Sequence, residues 1–381
     1  MSPRIIVRHS AGRYPVVVEA GGLARLGNFV ARVAPGRRPI IITDRTVAAA
    51  VKLSVDWPRL VVPPGERSKS RAQWEKLVDR LVSRRYGRDT VIVAVGGGVV
   101  GDLAGFVAAT FLRGVPYVQV PTSLLAMVDA AIGGKTGLNT PAGKNLIGAF
   151  HPPVGVLIDP AVTQTLSLPD YRGGLVEALK HGWVADVRYY RWIVRSARRL
   201  ARREAPTLTQ LIRRSVAIKA SIVARDERET GVRAVLNAGH TVGHAIEQAS
   251  GYRVRHGDAV AFGLVAEGAM ASALGRLRAA AVARLVADLR TLGVPLGPPA
   301  PDDPAIVLAM EVDKKNRRGL IRCALPRGVG RLAATRGPWT TVGSKSSVRQ
   351  ALREGRNLVS ARDVHILSTS DRRPTPRATR S

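Results

Sequence analysis

The chain has a single cysteine, Cys323, in 381 residues. No internal disulfide can form, which excludes the stapled scaffolds of small secreted proteins. The first thirty residues lack the apolar run of about 7 to 15 residues that marks a signal peptide, so the chain is expected to act in the cytoplasm. Aromatic residues make up only 4%, and no helix-turn-helix, zinc-finger or RNA-recognition pattern occurs, which argues against a specific nucleic-acid partner. One stretch, Val91 to Leu112, is long and apolar enough to suggest a bilayer span. It carries five glycines and Asp102, and therefore reads as a buried strand, a glycine turn and a helix, with no membrane association.

Lysine is scarce as well: 49 arginines stand against ten lysines, within a net charge of +31. Such a skew fits a compositional drift that exchanged surface lysines for arginines wherever only solvation mattered. A position that needs a compact ammonium with rotatable donors cannot accept a planar guanidinium. The surviving lysines are therefore informative, and seven of the ten fall inside the motifs described below. Weak, salt-sensitive association with polyanions follows from the charge alone.

What the sequence does contain is a 45% hydrophobic content over a length sufficient for one large or two ordinary domains. Residues 1–168 alternate short β-branched runs with helical patterns. Ile5–Val7, Val16–Val18, Pro39–Thr43, Leu60–Val62, Val91–Val95, Tyr117–Val120 and Val156–Ile158 read as strands, and Ser70–Arg84 as an amphipathic helix. That alternation predicts an α/β domain with a mainly parallel sheet. Beyond the region of Pro169 the periodicity becomes helical, which predicts a mostly α-helical second domain over 169–355. Residues 356–381 form a basic tail whose last sixteen residues are too poor in apolar groups to order themselves.

Three clusters carry chemistry. The predicted strand Val91–Val95 runs into Gly96-Gly97-Gly98-Val99-Val100-Gly101-Asp102 and a helix, a pattern that lets backbone amides approach a pyrophosphate. No carboxylate follows at the usual spacing of about 20 residues, so a ribose-binding acid must come from elsewhere, and Asp44 at the end of Pro39–Thr43 is suited. Next, Gly133-Gly134-Lys135-Thr136-Gly137 and Gly143-Lys144-Asn145 read as a Gly-rich loop presenting two lysines and an asparagine to an anionic or polyhydroxylated ligand. A P-loop is excluded because Asp129 occupies the position of its first glycine.

The third cluster is His240, His244 and His256. His240 and His244, four apart, share one face of a predicted helix. Two imidazoles and a carboxylate with a fourth position open is a common catalytic zinc arrangement, and Glu177 is the candidate acid. Lys180, Lys219, Arg233, Asn237 and Asp313-Lys314-Lys315 complete a cation-rich pocket for a small substrate with more than one negative charge.

These runs, together with Leu103-Ala104-Gly105-Phe106 and Gly239-His240-Thr241-Val242-Gly243-His244-Ala245, resemble the 3-dehydroquinate synthase family of sugar-phosphate cyclases, in order, over roughly residues 10–350. The resemblance implies an NAD-binding α/β domain, a helical domain, and a site between them holding Zn2+, with Co2+ as a substitute. It implies Glu177, His240 and His256 as metal ligands, with His244 facing the substrate. It implies cofactor contacts from Asp44, Glu66, Lys69, Gly97, Gly98, Asp102, Thr122, Ser123, Lys135 and Lys144. For the substrate it implies Arg113, Asp129, Lys135, Lys144, Asn145, Lys180, Lys219, Arg233, Asn237, His244 and one of Lys314 and Lys315, Arg113 reaching across the interface of a homodimer.

The implied reaction converts 3-deoxy-D-arabino-heptulosonate 7-phosphate to 3-dehydroquinate and phosphate through transient oxidation, phosphate elimination, re-reduction and intramolecular aldol closure. Ala130, Ala131, Thr140 and Ala238 depart from the family pattern at positions that carry no implied ligand. Arg233, Asn237, Lys219 and His244 disfavour the inosose and valiolone branches, while aminodehydroquinate formation stays open. A metal-dependent alcohol dehydrogenase of the glycerol dehydrogenase type is the more distant alternative, and would release NADH stoichiometrically.

Overall fold

The structure, a computed structural model, describes residues 4–141, 143–312, 321–331 and 339–361. Runs rich in Val and Ile, bounded by Gly, Pro or Asp, form the strands: β1 (Ile5–His9), β2 (Gly12–Val18), β3 (Arg38–Asp44), β4 (Arg59–Val62), β5 (Thr90–Gly96), β6 (Tyr117–Pro121), β7 (Lys135–Thr140), β8 (Gly143–Phe150) and β9 (Gly155–Ile158). All seven expected strands are present, mostly a residue or two longer, with β2 beginning four residues earlier. They make one sheet in the order β1-β2-β9-β6-β5-β3-β4. Only the edge strand β1 runs antiparallel to its neighbour. Central β5 is buried along its whole length, as a strand covered on both faces must be.

Alternation along β5 sets the two layers. Ile92 and Ala94 face a core closed by α3 (Arg71–Ser83) and α4 (Gly98–Thr110), while Val91, Val93 and Val95 face the other way. On that second side the buried cluster takes in α1 (Leu26–Val33) and continues without a break into the helical half of the chain. Short α2 (Arg45–Ala50) follows β3. The amphipathic segment expected over Ser70–Arg84 is α3, begun by Ser70, whose side chain accepts a hydrogen bond from the Gln73 amide at 3.3 Å.

The second half contains α5 (Leu168–Ala185), α6 (Val187–Arg195), α7 (Ala197–Ala201), α8 (Ala205–Arg225), α9 (His240–Ala249), α10 (His256–Ala273), α11 (Ala279–Thr291) and α12 (Asp303–Val312). A small ribbon of β10 (Ile321–Cys323) and β11 (Thr341–Gly343) precedes α13 (Lys345–Ser360). Helix α10, almost wholly buried, packs against α5, α9, α11 and α13. No helix among the described residues is long and apolar enough to cross a membrane.

Two expectations need correction. The Gly-rich segment expected to be a loop is an antiparallel hairpin of β7 and β8. Its strands approach so closely that a Cβ on Gly148 would lie 2.4 Å from the Thr136 carbonyl oxygen, so glycine is required and the usual apolar alternation is erased. The tail expected from 356 overlaps ordered structure, because α13 continues to Ser360. There Arg356 is tied to Asp303 at 2.7 Å and to the Pro299 carbonyl at 3.0 Å. The rest of that tail lies outside the described residues.

Candidate active site

The carboxyl ends of the parallel strands form one rim of the site, the usual location of ligands in open α/β sheets. Pairing of Thr43 with Val95 brings Asp44 beside Gly96. Asp44 also caps α2, accepting from the Val47 amide at 2.9 Å. Gly97 stands at the N-cap of α4 without a side-chain cap, ahead of Gly98, and the Thr122 amide donates to the Gly96 carbonyl at 2.9 Å beside Ser123. Asp102, one turn along α4, contacts the buried Lys69 ammonium. Burial pushes the Asp102 carboxyl up, and Lys69 opposes that shift. Glu66 accepts from the Asn139 side chain at 2.7 Å, which docks this segment against β7.

In the helical half, Glu177 of α5 meets the first residues of α9 and α10. His240 Nε2 and His256 Nε2 each lie 3.4 Å from Glu177 Oε1. Both carboxylate oxygens of Glu177 are buried and without a hydrogen bond, and their charge is met by the Lys180 ammonium one turn on. The ligand atoms of the three residues lie within 4.8 Å of one another. Two ring nitrogens converging on one buried carboxylate, too far for good hydrogen bonds, suit a divalent ion with N and O preferences. Burial would raise the Glu177 carboxyl, but Lys180 and His240 hold it low. Burial, reinforced by Lys180, lowers His240 to about 3, so its imidazole is neutral. His256 moves oppositely: burial lowers it, but the adjacent Glu177 and Glu247 carboxylates raise it to about 9.

Helix α9 is aimed by a device that the sequence did not reveal. Its N-cap is Gly239, with φ 78°, which cannot cap with a side chain. Buried Glu267 of α10 replaces that cap, accepting from the amides of Gly239, Thr241 and Val242 at 2.7, 3.1 and 3.2 Å. A Cβ on Gly263 would fall 2.0 Å from the Gly239 carbonyl oxygen, so α9 and α10 touch backbone to backbone. His244 sits beside His240, ring centroids 5.2 Å apart.

The predicted cations converge as ion pairs. Lys219 donates to Asp129 Oδ1 and to its carbonyl, both at 2.7 Å, and His181 lies 3.2 Å from the same carboxylate. Burial raises Asp129, yet Lys219, Lys180 and His181 hold it well below the usual carboxylate range. Lys135 and Asn237 both contact Glu229. Buried Arg233 donates to the Gly133 carbonyl at 3.2 Å. Lys144 reaches Glu247 at 2.9 Å, and the Asn145 amide donates to Asn139 at 3.0 Å. Arg113 is not part of this cluster. It is exposed, with φ 66°, beyond the far end of α4, about 20 Å along the helix from Gly98. Lys314 and Lys315 lie outside the described residues.

Glu229, His181, Glu247 and Glu267 were missed by sequence reasoning. Glu247 alone had a signal, since it lies three residues after His244 and seven after His240 on one helix face. The others meet their partners only through tertiary packing.

Two family models match the chain: 3-dehydroquinate synthase N-terminal over residues 59–172 and 3-dehydroquinate synthase C-terminal over 174–316. The chain is 43% identical over 350 residues to a 3-dehydroquinate synthase of Synechococcus sp., covering 88% of this chain and 95% of the relative. It is 43% identical to a 3-dehydroquinate synthase of Paracoccus denitrificans, covering 85% and 93%. Among solved structures it is similar to the 2-epi-5-epi-valiolone synthase ValA of Streptomyces hygroscopicus subsp. jinggangensis with NAD+ and Zn2+ bound. The TM-score is 0.79 at 28% identity, covering 90% of this chain and 97% of the other.

Proposed function

The chain belongs to the 3-dehydroquinate synthase family, and from that premise we propose that it converts 3-deoxy-D-arabino-heptulosonate 7-phosphate to 3-dehydroquinate and phosphate, with bound NAD and Zn2+, Co2+ being able to substitute. The supporting observation is that the ligand atoms of Glu177, His240 and His256 lie within 4.8 Å of one another, with the Lys180 ammonium against the Glu177 carboxylate. When bound, the metal supplies Lewis acidity at a substrate hydroxyl and the nicotinamide accepts and returns a hydride.

The chain's own residues bind and orient. Asp44, Glu66, Lys69, Gly97, Gly98, Asp102, Thr122 and Ser123 are proposed to hold the dinucleotide, with Lys135 and Lys144 shared between it and the substrate. Lys180, Lys219, Arg233, Asn145 and Asn237 would fix the phosphate, carboxylate and hydroxyl groups of one short molecule, which limits its motion through several steps. Burial works against both lysines: at Lys180 the Glu177 and Asp129 carboxylates outweigh it and raise the ammonium, whereas at Lys219 burial prevails and Asp129 offsets it only in part. His244 is the proposed group that exchanges a proton, at a ring nitrogen, with the oxidised hydroxyl. Arg113 is proposed to serve the partner's site in a homodimer. Its consecutive left-handed residues, Leu112 at φ 50° and Arg113 at φ 66°, are a strained conformation of the kind retained at functional positions. One of Lys314 and Lys315 would complete the substrate contacts. A cytoplasmic setting is consistent with the lone, buried Cys323.

The test is incubation of the protein with the heptulosonate phosphate, zinc and catalytic NAD+. Phosphate should appear in stoichiometric amount while free NADH does not accumulate. Conversion of the supplied NAD+ to free NADH without phosphate release would instead indicate a dehydrogenase.

A further inference from the structure

Glu247 joins two parts of the molecule that are far apart in sequence. It is 4% exposed in its side chain on α9, and its two oxygens are divided: Oε1 accepts from Lys144 Nζ of β8 at 2.9 Å, and Oε2 faces His256 Nδ1 at 3.1 Å. The other ring nitrogen of His256, Nε2, is the one directed at Glu177. We propose that Glu247 is a positioning residue for the metal centre, fixing the proton of His256 on Nδ1 so that the Nε2 lone pair faces the ion, while Lys144 anchors Glu247 from the hairpin. The inference rests on the metal site proposed above for Glu177, His240 and His256.

A neutral imidazole carries its proton on either nitrogen, and the hydrogen bond at one nitrogen decides what the other can ligate. A carboxylate accepting at Nδ1 also restricts ring rotation and makes Nε2 more basic. His240 obtains the same service from a weaker acceptor, the Ala238 carbonyl at 3.2 Å from its Nδ1. A competing arrangement exists, because ligand atoms of His244, Glu247 and His256 also lie within 4.8 Å of one another. Hydrogen bonding decides between them. Each carboxylate has a lysine beside it, Lys144 for Glu247 and Lys180 for Glu177, but both Glu247 oxygens are engaged in hydrogen bonds whereas neither Glu177 oxygen is. A ligand role for Glu247 would also require breaking its Lys144 pair or turning His256 away from Glu177.

Zinc affinity, measured by chelator competition, tests the inference on wild type, Glu247→Gln, Glu247→Asp and His240→Ala. Glu247→Gln keeps the reach and loses the charge; Glu247→Asp keeps the charge and loses the reach. Both should bind zinc about 10- to 100-fold more weakly, with the zinc coordination number from X-ray absorption unchanged. Wild-type affinity in both variants would overturn the inference, as would loss of one oxygen ligand in Glu247→Gln, which would make Glu247 a ligand. His240→Ala keeps the two failures apart. Full zinc binding there would sink the metal site itself, whereas zinc lost there but retained in both Glu247 variants would sink only this inference.

Discussion

At the scale of single residues, lysine scarcity marks candidate positions because ammonium and guanidinium differ in geometry and not in charge. Lys69, Lys135, Lys144, Lys180 and Lys219 each contact a carboxylate that faces the same region. Lys135→Arg is therefore expected to lower phosphate release by at least about tenfold despite the retained charge, because one ammonium in contact with Glu229 cannot be replaced by a wider planar fork. Wild-type turnover in that variant would detach lysine scarcity from function. A second residue-scale prediction concerns protons. In chelator-treated protein His256 is protonated below about pH 9 and His240 is neutral down to about pH 3, so zinc must displace one proton, from His256. The zinc association constant should rise about tenfold per pH unit between about pH 6 and pH 9 and level off above. Calorimetry in two buffers of different ionisation enthalpy should count about one proton released per zinc.

At the scale of elements, the strands and α3 were legible because periodicity and β-branching act locally. The β7–β8 hairpin was not, since Gly137 and Gly148 answer to the opposing backbone and leave no pattern. The contact of α9 with α10 is of the same kind, and it carries His240 and His256. Gly263→Ala should cost about 1 to 3 kcal/mol in urea unfolding and weaken zinc binding, because the added methyl must push the Gly239 turn away. Gly268→Ala on the same helix is the control. Its Cβ would meet Val282 at an ordinary 3.4 Å, and better helix propensity should add up to about 1 kcal/mol. Equal destabilisation by both would show that helix interior composition, and not the close approach, governs this contact.

At the scale of the whole molecule, the charge of +31 comes from 59 basic residues against 28 acidic ones. Retention on heparin or DNA should be strong at low salt and largely gone by about 200 mM, as expected of counterion release without base or shape recognition. Tight binding that survives that salt would require a dedicated polyanion site. A chain ended at Ala361 should keep the urea midpoint and phosphate release of the full chain while eluting earlier from heparin. The last turn of α13 is already closed by Arg290, which donates to the carbonyls of Val359 and Ala361 at 2.8 and 3.0 Å.

By itself the sequence determined the α/β-then-helical order and the seven strands of the large sheet, and it singled out the candidate histidines and lysines, because local periodicity and rare side-chain chemistry survive in one dimension. Tertiary structure alone decided that Glu247 joins Lys144 to His256, that Glu267 aims α9, and that Glu229 receives Lys135 and Asn237. Those pairings depend on which helices and strands approach within a hydrogen bond's length, and a carboxylate looks the same in sequence whether it faces water or a buried imidazole.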